Sequence, residues 1–257
     1  MGVLNVTPDS FSDGGRYLRV EDAVRQGLRL AEEGADILDV GGESTRPGSD
    51  PVSEQEELDR VAPVVERLVA SVPVRLSIDT YKPRVAEVCL ARGATLINDV
   101  SGLADPEMIR VAREGGAGVV IMHMRGRPKT MQQDVAYDDV VHEVRAFLAA
   151  RAAAARGAGI DEVMVDPGIG FGKTAAHNFE LLRRLGELTS LGVPVLVGPS
   201  RKAFLGSLAS QLPPSERLEG TLAAVTLAAW NGASIVRVHD VLQTKRVVEV
   251  VDAARGG

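Results

Sequence analysis

The residues with most chemical capacity in this 257-residue chain stand at the ends of short apolar runs. Asn5 follows "GVL", Asp79 ends "VRLSID", Asn98 and Asp99 end "TLIND", Asp166 ends "EVMVD", and Arg237 and His239 close "SIVRVH". Arg46 lies in "GGESTRPG" and Lys202 in "GPSRKAF", each just beyond another such run. These groups fall into two sets. Asp79, Asn98 and Asp166 offer in-plane acceptors and one amide donor, suited to the edge of a flat, nitrogen-rich ring. Arg46, Lys202, Arg237, His239 and Asn5 offer donors and positive charge, suited to a phosphate ester. A carboxylate in a dry pocket is costly without a partner, so Asp79 and Asp166 imply a donor-rich ligand. A heterocycle carrying a phosphate or diphosphate meets both sets. Arg237 and His239 are two residues apart, so in a strand they share one face with Ile235.

The stretch "DPGIGFGKT", Asp166 to Thr174, looks like a phosphate cradle and is not one. A nucleotide-binding loop of the form G-x-x-x-x-G-K-[ST] needs its first glycine at 167, which is Pro167 and has no N–H. A G-x-G-x-x-G dinucleotide fingerprint needs its third glycine at 173, which is Lys173. The role of this stretch must come from its surroundings.

Those surroundings are a strict alternation. Strand-like runs fall at 2–6, 36–40, 74–79, 95–100, 118–124, 162–166, 193–198 and 234–239. Amphipathic, helix-like segments fall at 21–33, 53–70, 82–92, 106–114, 137–157, 176–190, 215–231 and 240–254. Strand–helix alternation predicts parallel strands with crossover helices, and eight units in this length predict an α/β fold of the (β/α)8 TIM barrel type. A doubly wound open sheet is the alternative. Ser53 with Glu56 three residues on is a capping-box pattern. "EEGAD", "ARGAT" and "REGGAG" end helices with glycine. No linker or charge block divides residues 1–257, which read as one domain. In a barrel of this kind the active site lies at the C-terminal ends of the strands, where the polar residues above collect.

Composition narrows the class. The formal net charge is -6 and 45% of residues are hydrophobic. The acidic balance argues against a nucleic-acid binder. The single cysteine, Cys89, allows no internal disulfide, which suits the cytoplasm, and it reads as a small buried hydrophobe. No apolar run approaches the roughly 20 residues of a membrane span. The first residues carry neither a secretory signal nor a myristoylation pattern, since position 6 is Val6.

Taken singly, several residues have ordinary explanations. Asp79 or Asn98 alone reads as a loop cap; together at strand ends they read as a site. His123 reads as part of a packed strand end, and His142 and His177 as surface groups. Asp99 and Glu43 read as supports for loop backbone, and Lys173 as a solvated loop lysine. "RGRPKTMQ", 125–132, reads as a mobile loop with solvated charge. The alanine-rich segment 143–157 needs only helix propensity. Trp230 reads as helix packing or as part of a dimer face.

Seven motifs, in order, resemble one family. "GVLNVTPDSFSDGG", "DVGGESTRPG", "SIDTYKP", "INDVSG", "DPGIGFGK", "SRKAF" and "VRVHDV" are similar to the motifs of dihydropteroate synthases, from residue 2 to about residue 241. The resemblance implies an eight-fold α/β barrel and a homodimer. It implies a transferase of folate biosynthesis that joins 6-hydroxymethyl-7,8-dihydropterin diphosphate to p-aminobenzoate with magnesium assistance. The products are 7,8-dihydropteroate and pyrophosphate. Carried over residue by residue, Asp79, Asn98 and Asp166 would bind the pterin edge, and Met122 and Phe171 would line the ring pocket. Lys202 would reach the pterin carbonyl and border the p-aminobenzoate site. Arg237 would stack on the ring and touch phosphate. Asn5, Arg46 and His239 would hold the diphosphate, with Asn5 and Asp13 near Mg2+. Phe11, Thr45 and Pro47 would belong to two loops that close over p-aminobenzoate. On this assignment Lys202, Arg237, His239 and Arg46 carry the catalysis, and sulfonamides would compete.

The implied chemistry is a dissociative, SN1-like substitution. The cations and Mg2+ stabilise the leaving pyrophosphate, the electron-rich pterin stabilises a methylene cation, and a neutral arylamine attacks it. Loop closure would exclude competing water. Two departures from the family pattern stand out. Relatives usually carry more residues before the first motif, so a few are expected to precede Met1. Ala203 stands where many relatives have serine, which leaves backbone N–H groups to bind the p-aminobenzoate carboxylate. Two other functions share the barrel: a pterin-dependent methyltransferase, which need not keep a diphosphate pocket, and a non-catalytic pterin-binding paralogue. "STRPG", "SRK" and "VRVH" favour the synthase.

Overall fold

Parallel strands covered on both faces need apolar residues at nearly every position, and the strand-forming runs have them. The computed structural model describes residues 1–7, 16–45, 48–126, 129–133, 135–207 and 212–256, with the backbone alone for 16–19. The strands are β1 (Gly2–Asn5), β2 (Ile37–Gly41), β3 (Arg75–Asp79), β4 (Leu96–Asp99), β5 (Gly118–Met122), β6 (Val163–Asp166), β7 (Leu196–Val197) and β8 (Ile235–Val236). The helices between and after them are α1 (Arg16–Glu32), α2 (Glu54–Val69), α3 (Pro83–Ala91), α4 (Pro106–Glu114), α5 (Val140–Gly157), α6 (Ala175–Arg183), α7 (Gly186–Thr189), α8 (Ala203–Gly206), α9 (Leu218–Trp230) and α10 (Val241–Arg255).

Strands β1 to β6 pair in chain order, all parallel, and β7 pairs with β8. Two single bridges join the two sheets. Val165 pairs with Val195, and Gly2 pairs with Val238, each parallel. Around the second bridge Val3 N–H donates to the Val238 carbonyl at 2.9 Å and Val238 N–H to the Met1 carbonyl at 3.0 Å. The order therefore runs 1 to 8 and returns to 1, which is a closed barrel. A doubly wound sheet would leave β1 and β8 unjoined.

The ladder is thinnest at β7 and β8, which are two residues long each where runs of six were expected. Pro194 supplies no N–H at the start of the first run and Pro199 ends it. On its β7 side β8 has only that short partner, although Arg237 N–H still reaches the Val197 carbonyl at 3.0 Å. The expected helix at 176–190 is two helices, broken before Gly186, a weak helix former. Helix α5 starts at Val140 rather than 137 because Asp139 caps it, accepting from Val141 and His142 N–H. Ser53 caps α2 as expected, but Glu56 pairs with Arg60 instead of closing the box. The reciprocal box lies at Thr174 and His177, just after the glycine loop.

Apolar packing is divided by the strands. The larger core lies between strands and helices and includes Leu4, Leu38, Ile78, Ile97, Val119 and Val165. Cys89 belongs to it, fully buried, and burial pushes its thiol up to about 12. A second cluster, Met1, Ile37, Leu96, Val120, Met164 and Leu196 with Ile235 against it, draws one residue from nearly every strand. It fills the barrel interior near the N-terminal ends of the strands. None of the described helices is long and apolar enough to cross a membrane.

Candidate active site

The inward face of each strand changes chemistry over a single period of two. Ile37 is followed by Asp39, Leu96 by Asn98, Val120 by Met122, Met164 by Asp166, and Ile235 by Arg237 and then His239. The first member of each pair is in the apolar floor. The second lies one pleat, about 6–7 Å, higher. Hydrogen bonds show that these second residues meet across the lumen. Asn98 on β4 donates through Nδ2 to Asp39 Oδ2 on β2 at 2.9 Å, passing over β3. Arg237, beyond β8, donates through Nε to the same Asp39 oxygen at 2.5 Å and through Nη2 to Asp79 Oδ2 at 2.6 Å.

Two acids thus share one guanidinium. The other oxygen of each, Oδ1 of Asp39 and Oδ1 of Asp79, is buried with no hydrogen-bond partner among the described residues. A buried acceptor without a partner is a rare and costly feature that wants a ligand or water. Burial pushes the Asp79 carboxyl up to about 7, because attraction to Arg237 only partly offsets desolvation and Asp39 repels. Burial would lower the Arg237 guanidinium, but Asp39 and Asp79 hold it above its ordinary value. Asp166 is also raised by burial, with the Gly168 N–H and the charges of Lys202, Lys173 and Arg237 opposing.

The glycine loop is built against this layer. Gly168 N–H donates to Asp166 Oδ1 at 2.7 Å, turning the chain immediately after β6. Gly168 and Gly170 have φ of 70° and 82°, which disfavour any side chain. They also have no room for one: a Cβ on Gly168 would lie 1.9 Å from the His123 carbonyl oxygen, and one on Gly170 would lie 2.8 Å from Lys202 Cδ. The loop therefore packs directly on the end of β5 and on the stem of Lys202. Lys202 Nζ sits 3.8 Å from the centre of the Phe171 ring. Phe171 clusters with Met122, Val100 and Met131, with Tyr81 and Met124 at their edge, as a small apolar patch separate from the main core.

Lys173 is not the solvated loop lysine its position suggested. It is 3% exposed, and Nζ lies within hydrogen-bond distance of His123 Nδ1 (3.0 Å) and of the carbonyls of Phe171 (3.0 Å), Gly168 (3.1 Å) and His123 (3.3 Å). Burial pulls its ammonium down to about 7. His123 is packed edge-on to Phe147, as a strand end would be, and is also the partner of this lysine. Burial and the neighbouring Lys173 push His123 down to about 3.

At the cationic side, His239 Nδ1 is 2.9 Å from Ser200 Oγ, and its backbone N–H donates to the same oxygen at 3.2 Å. Burial, then Arg237 and Arg201, push this imidazole down to about 3. Arg201 is bound through Nε and Nη2 to Asp240, and has a φ of 57°. A non-glycine residue there stores strain, held by the ion pair and by its N–H bond to Thr221.

The support groups act as expected. Asp99 accepts from the N–H groups of Ser101 and Leu103. Glu43 accepts from Val52 N–H, Tyr81 hydroxyl and Lys82 Nζ, and Lys82 also reaches Glu57. In 125–132, Arg125 is paired with Glu143 and lies over the Tyr137 ring rather than being solvated. Met131 is 1% exposed. Lys129 pairs with Asp50 at the surface.

Of the residues singled out from sequence, Asp79, Asn98, Met122, Asp166, Phe171, Lys202, Arg237 and His239 are gathered around one end of the barrel. Asn5 ends β1 opposite Gly41 of β2, on the same rim. Thr45 is half-buried. Phe11, Asp13, Arg46 and Pro47 lie outside the described residues. Sequence reasoning missed Asp39, Lys173, Ser200 and Met131. Asp39 had a readable signal: it is a carboxylate inside "DILDV", two residues from Ile37 and Gly41.

Fold and site together define a barrel enzyme with buried acids beside cations at one mouth. The model of the family described as pterin binding enzyme matches residues 1–239. The dihydropteroate synthase of Escherichia coli is 48% identical over 255 residues, covering 98% of this chain and 90% of that protein. The structure of Xanthomonas albilineans dihydropteroate synthase with 4-aminobenzoic acid superposes with a TM-score of 0.94 at 50% identity, covering 100% of this chain and 93% of that one. A Yersinia pestis dihydropteroate synthase, in a sulfonamide drug complex, gives 0.94 at 46% identity, covering 100% and 94%. The chain belongs to the pterin-binding enzymes. Within that family, it belongs with the dihydropteroate synthases.

Proposed function

We propose that the chain condenses 6-hydroxymethyl-7,8-dihydropterin diphosphate with p-aminobenzoate, giving 7,8-dihydropteroate and pyrophosphate for folate biosynthesis. One observation carries the reading. Buried acids with unpartnered oxygens and an apolar patch adjoin a cluster of cations at one barrel mouth. Asp79 and Asp166 accept from the ring's amino and imino hydrogens, and Asn98 adds its amide. Met122 and Phe171 cover the ring faces. Lys202 reaches the ring carbonyl and borders p-aminobenzoate with Phe11, Thr45 and Pro47. Arg237 lies beside the ring and, with Asn5, Arg46 and His239, holds the diphosphate.

The charge arrangement favours departure of pyrophosphate before attack. The cations meet the negative charge that grows on the leaving group, and the acids hold the ring whose nitrogens spread the opposite charge over the exocyclic methylene. The arylamine is already a neutral nucleophile, so the chain needs no strong base. Asn5 and Asp13 offer hard oxygen donors of the kind magnesium takes with phosphate oxygens and water. When bound, that ion neutralises charge on the leaving group. Residues 1–257 form one functional unit, located in the cytoplasm, where a buried thiol such as Cys89 stays reduced. Its partner is a second copy: Leu227 and Trp230 on α9 are 49% and 54% exposed, beside exposed Leu242 and Val250 on α10. Sulfonamides compete with p-aminobenzoate, by analogy with the Yersinia protein.

The test is a pyrophosphate-release assay. Turnover is expected only with both substrates and Mg2+, with inhibition by a sulfonamide overcome by p-aminobenzoate. Methyl transfer from a folate would establish the methyltransferase instead, and pterin binding without turnover the non-catalytic paralogue.

A further inference from the structure

His239 is engaged at one edge of its ring only. Nδ1 lies 2.9 Å from Ser200 Oγ, and Nε2 bonds to no described residue. Ser200 is 5% exposed, so its hydroxyl has little access to water. A hydroxyl has one proton to give and two lone pairs. One lone pair of Ser200 is taken by the His239 backbone N–H at 3.2 Å. Ser200 makes no hydrogen bond to any described residue other than His239. If Nδ1–H donated to Oγ, the serine proton would be left buried without an acceptor, a costly arrangement. If Oγ–H donates to Nδ1, the serine proton, the serine oxygen and Nδ1 are all paired. The imidazole proton then belongs on Nε2.

We propose that Ser200 is a positioning residue that holds His239 as the neutral Nε2–H tautomer, so that the ring meets the diphosphate as a hydrogen-bond donor and not as a proton acceptor. The proposal rests on the reading of the Arg237–His239 side as the diphosphate site. The charges facing the ring agree with a neutral form: Arg237 on its own segment just beyond β8, Arg201 and Lys202 on the segment after β7, and Asp240 at the start of α10, with the cations outnumbering the acid. Burial adds to them and pushes the imidazole down to about 3. Arg201 in turn is fixed to Asp240 at 2.6 Å, which ties the segment carrying Ser200 to the segment carrying His239. Nε2–H donates to a phosphate oxygen without adding the mobile proton that an imidazolium would bring beside an arylamine nucleophile.

The experiment is 15N NMR of the full chain labelled at histidine, at neutral pH and without substrate. The His239 signals are assigned by their loss in His239→Gln. The expected spectrum has a protonated Nε2 and a bare Nδ1. Ser200→Ala should introduce the Nδ1–H form and weaken inorganic pyrophosphate binding about tenfold. Binding of a pterin lacking the diphosphate should be unchanged. Ser200→Thr keeps a hydroxyl and should restore the tautomer. An imidazolium or an Nδ1–H ring in the unmutated chain overturns the proposal, whether or not the variants fold. So does a Ser200→Ala chain with unchanged tautomer and unchanged pyrophosphate affinity. The tautomer is read without turnover, so a failure of the proposed reaction is distinguishable from a failure of this assignment.

Discussion

The floor and the rim of the barrel interior are built from the same strands, one pleat apart, and are opposite in every energetic respect. Leu96 and Asn98 share a strand face; so do Met164 and Asp166, and Ile235 and Arg237. The floor side chains bury apolar surface, and each fully buried leucine stabilises the fold by roughly 1.5–3 kcal/mol. The rim side chains bury carboxylates whose second oxygens lack partners, which works against stability. The same closure of the sheet does both. A molecule that wanted only stability would continue the floor upward. This one keeps unsatisfied acceptors where a ligand can satisfy them, and relies on the floor and the helix layer to hold them in place.

Crossed effects of mutation follow from that contrast. The largest belongs to the rim. Asp79→Ala should reduce turnover by about 10³-fold or more and abolish pterin binding by calorimetry, since a donor edge would lose its charged acceptor. Its thermal stability should fall little or rise, because Arg237 keeps Asp39 and an orphaned oxygen disappears. A variant that unfolds while its residual folded fraction binds pterin normally would erase the distinction. The floor should behave in the reverse way. Leu96→Ala is expected to lower unfolding stability by about 2–5 kcal/mol in urea, with the KM for the pterin substrate unchanged below its melting range.

Two groups near the C-terminal ends of the strands, Asp79 at the rim and His123 beside the glycine loop, should answer pH in opposite ways. Asp79 has a folded pKa raised to about 7 from an ordinary 3.8, so the folded state holds a proton there that the unfolded state has released. Its contribution to stability is full below 3.8 and is lost as pH rises through about 7. Pterin affinity should move the other way, improving up to about pH 7 as the carboxylate forms, and Asp79→Asn should remove that slope. His123 has the opposite sign: its folded pKa lies near 3 against an ordinary 6.5, so stability falls as pH drops below 6.5, by up to about 1.4 kcal/mol per pH unit. Urea midpoints across pH, with and without the Asp79→Asn change, separate the two slopes.

Smaller effects test the supports. Lys173→Met removes the ammonium that gathers the carbonyls of Gly168 and Phe171, and should raise the pterin Kd about tenfold while leaving p-aminobenzoate binding unaffected. Equal losses for both substrates would mean that the loop acts on the whole site. Ser53→Ala removes the cap of α2, and should cost about 1 kcal/mol of stability with kcat unchanged.

The strand–helix alternation was readable because it is a local property: a period of two in short runs, a longer period between them, and caps such as Ser53 at the junctions. The same alternation put Arg237 and His239 on one face. It put Asp39 there too, but an acid within a run that ends elsewhere draws less notice than one at a strand end. Lys173 gave no local signal. A lysine in a glycine-rich turn is ordinarily solvated, and only the folding of that turn over the end of β5 buries it. The split of 176–190 into α6 and α7, and the two-residue lengths of β7 and β8, depend on which neighbours the closing strands receive.

The order of residues along the chain determined by itself which side chains alternate, where apolar runs give way to polar ends, and therefore that a layered barrel with a polar rim would form. Backbone geometry transmits that pattern from one residue to the next without reference to anything distant. Partnership was decided only by the closed sheet. Arg237 is 198 positions from Asp39 and 158 from Asp79, and nothing local dictates that one guanidinium serves both. Protonation at Asp79 followed the same closure, because burial there and the charges of Asp39 and Arg237 meet only once the sheet has closed.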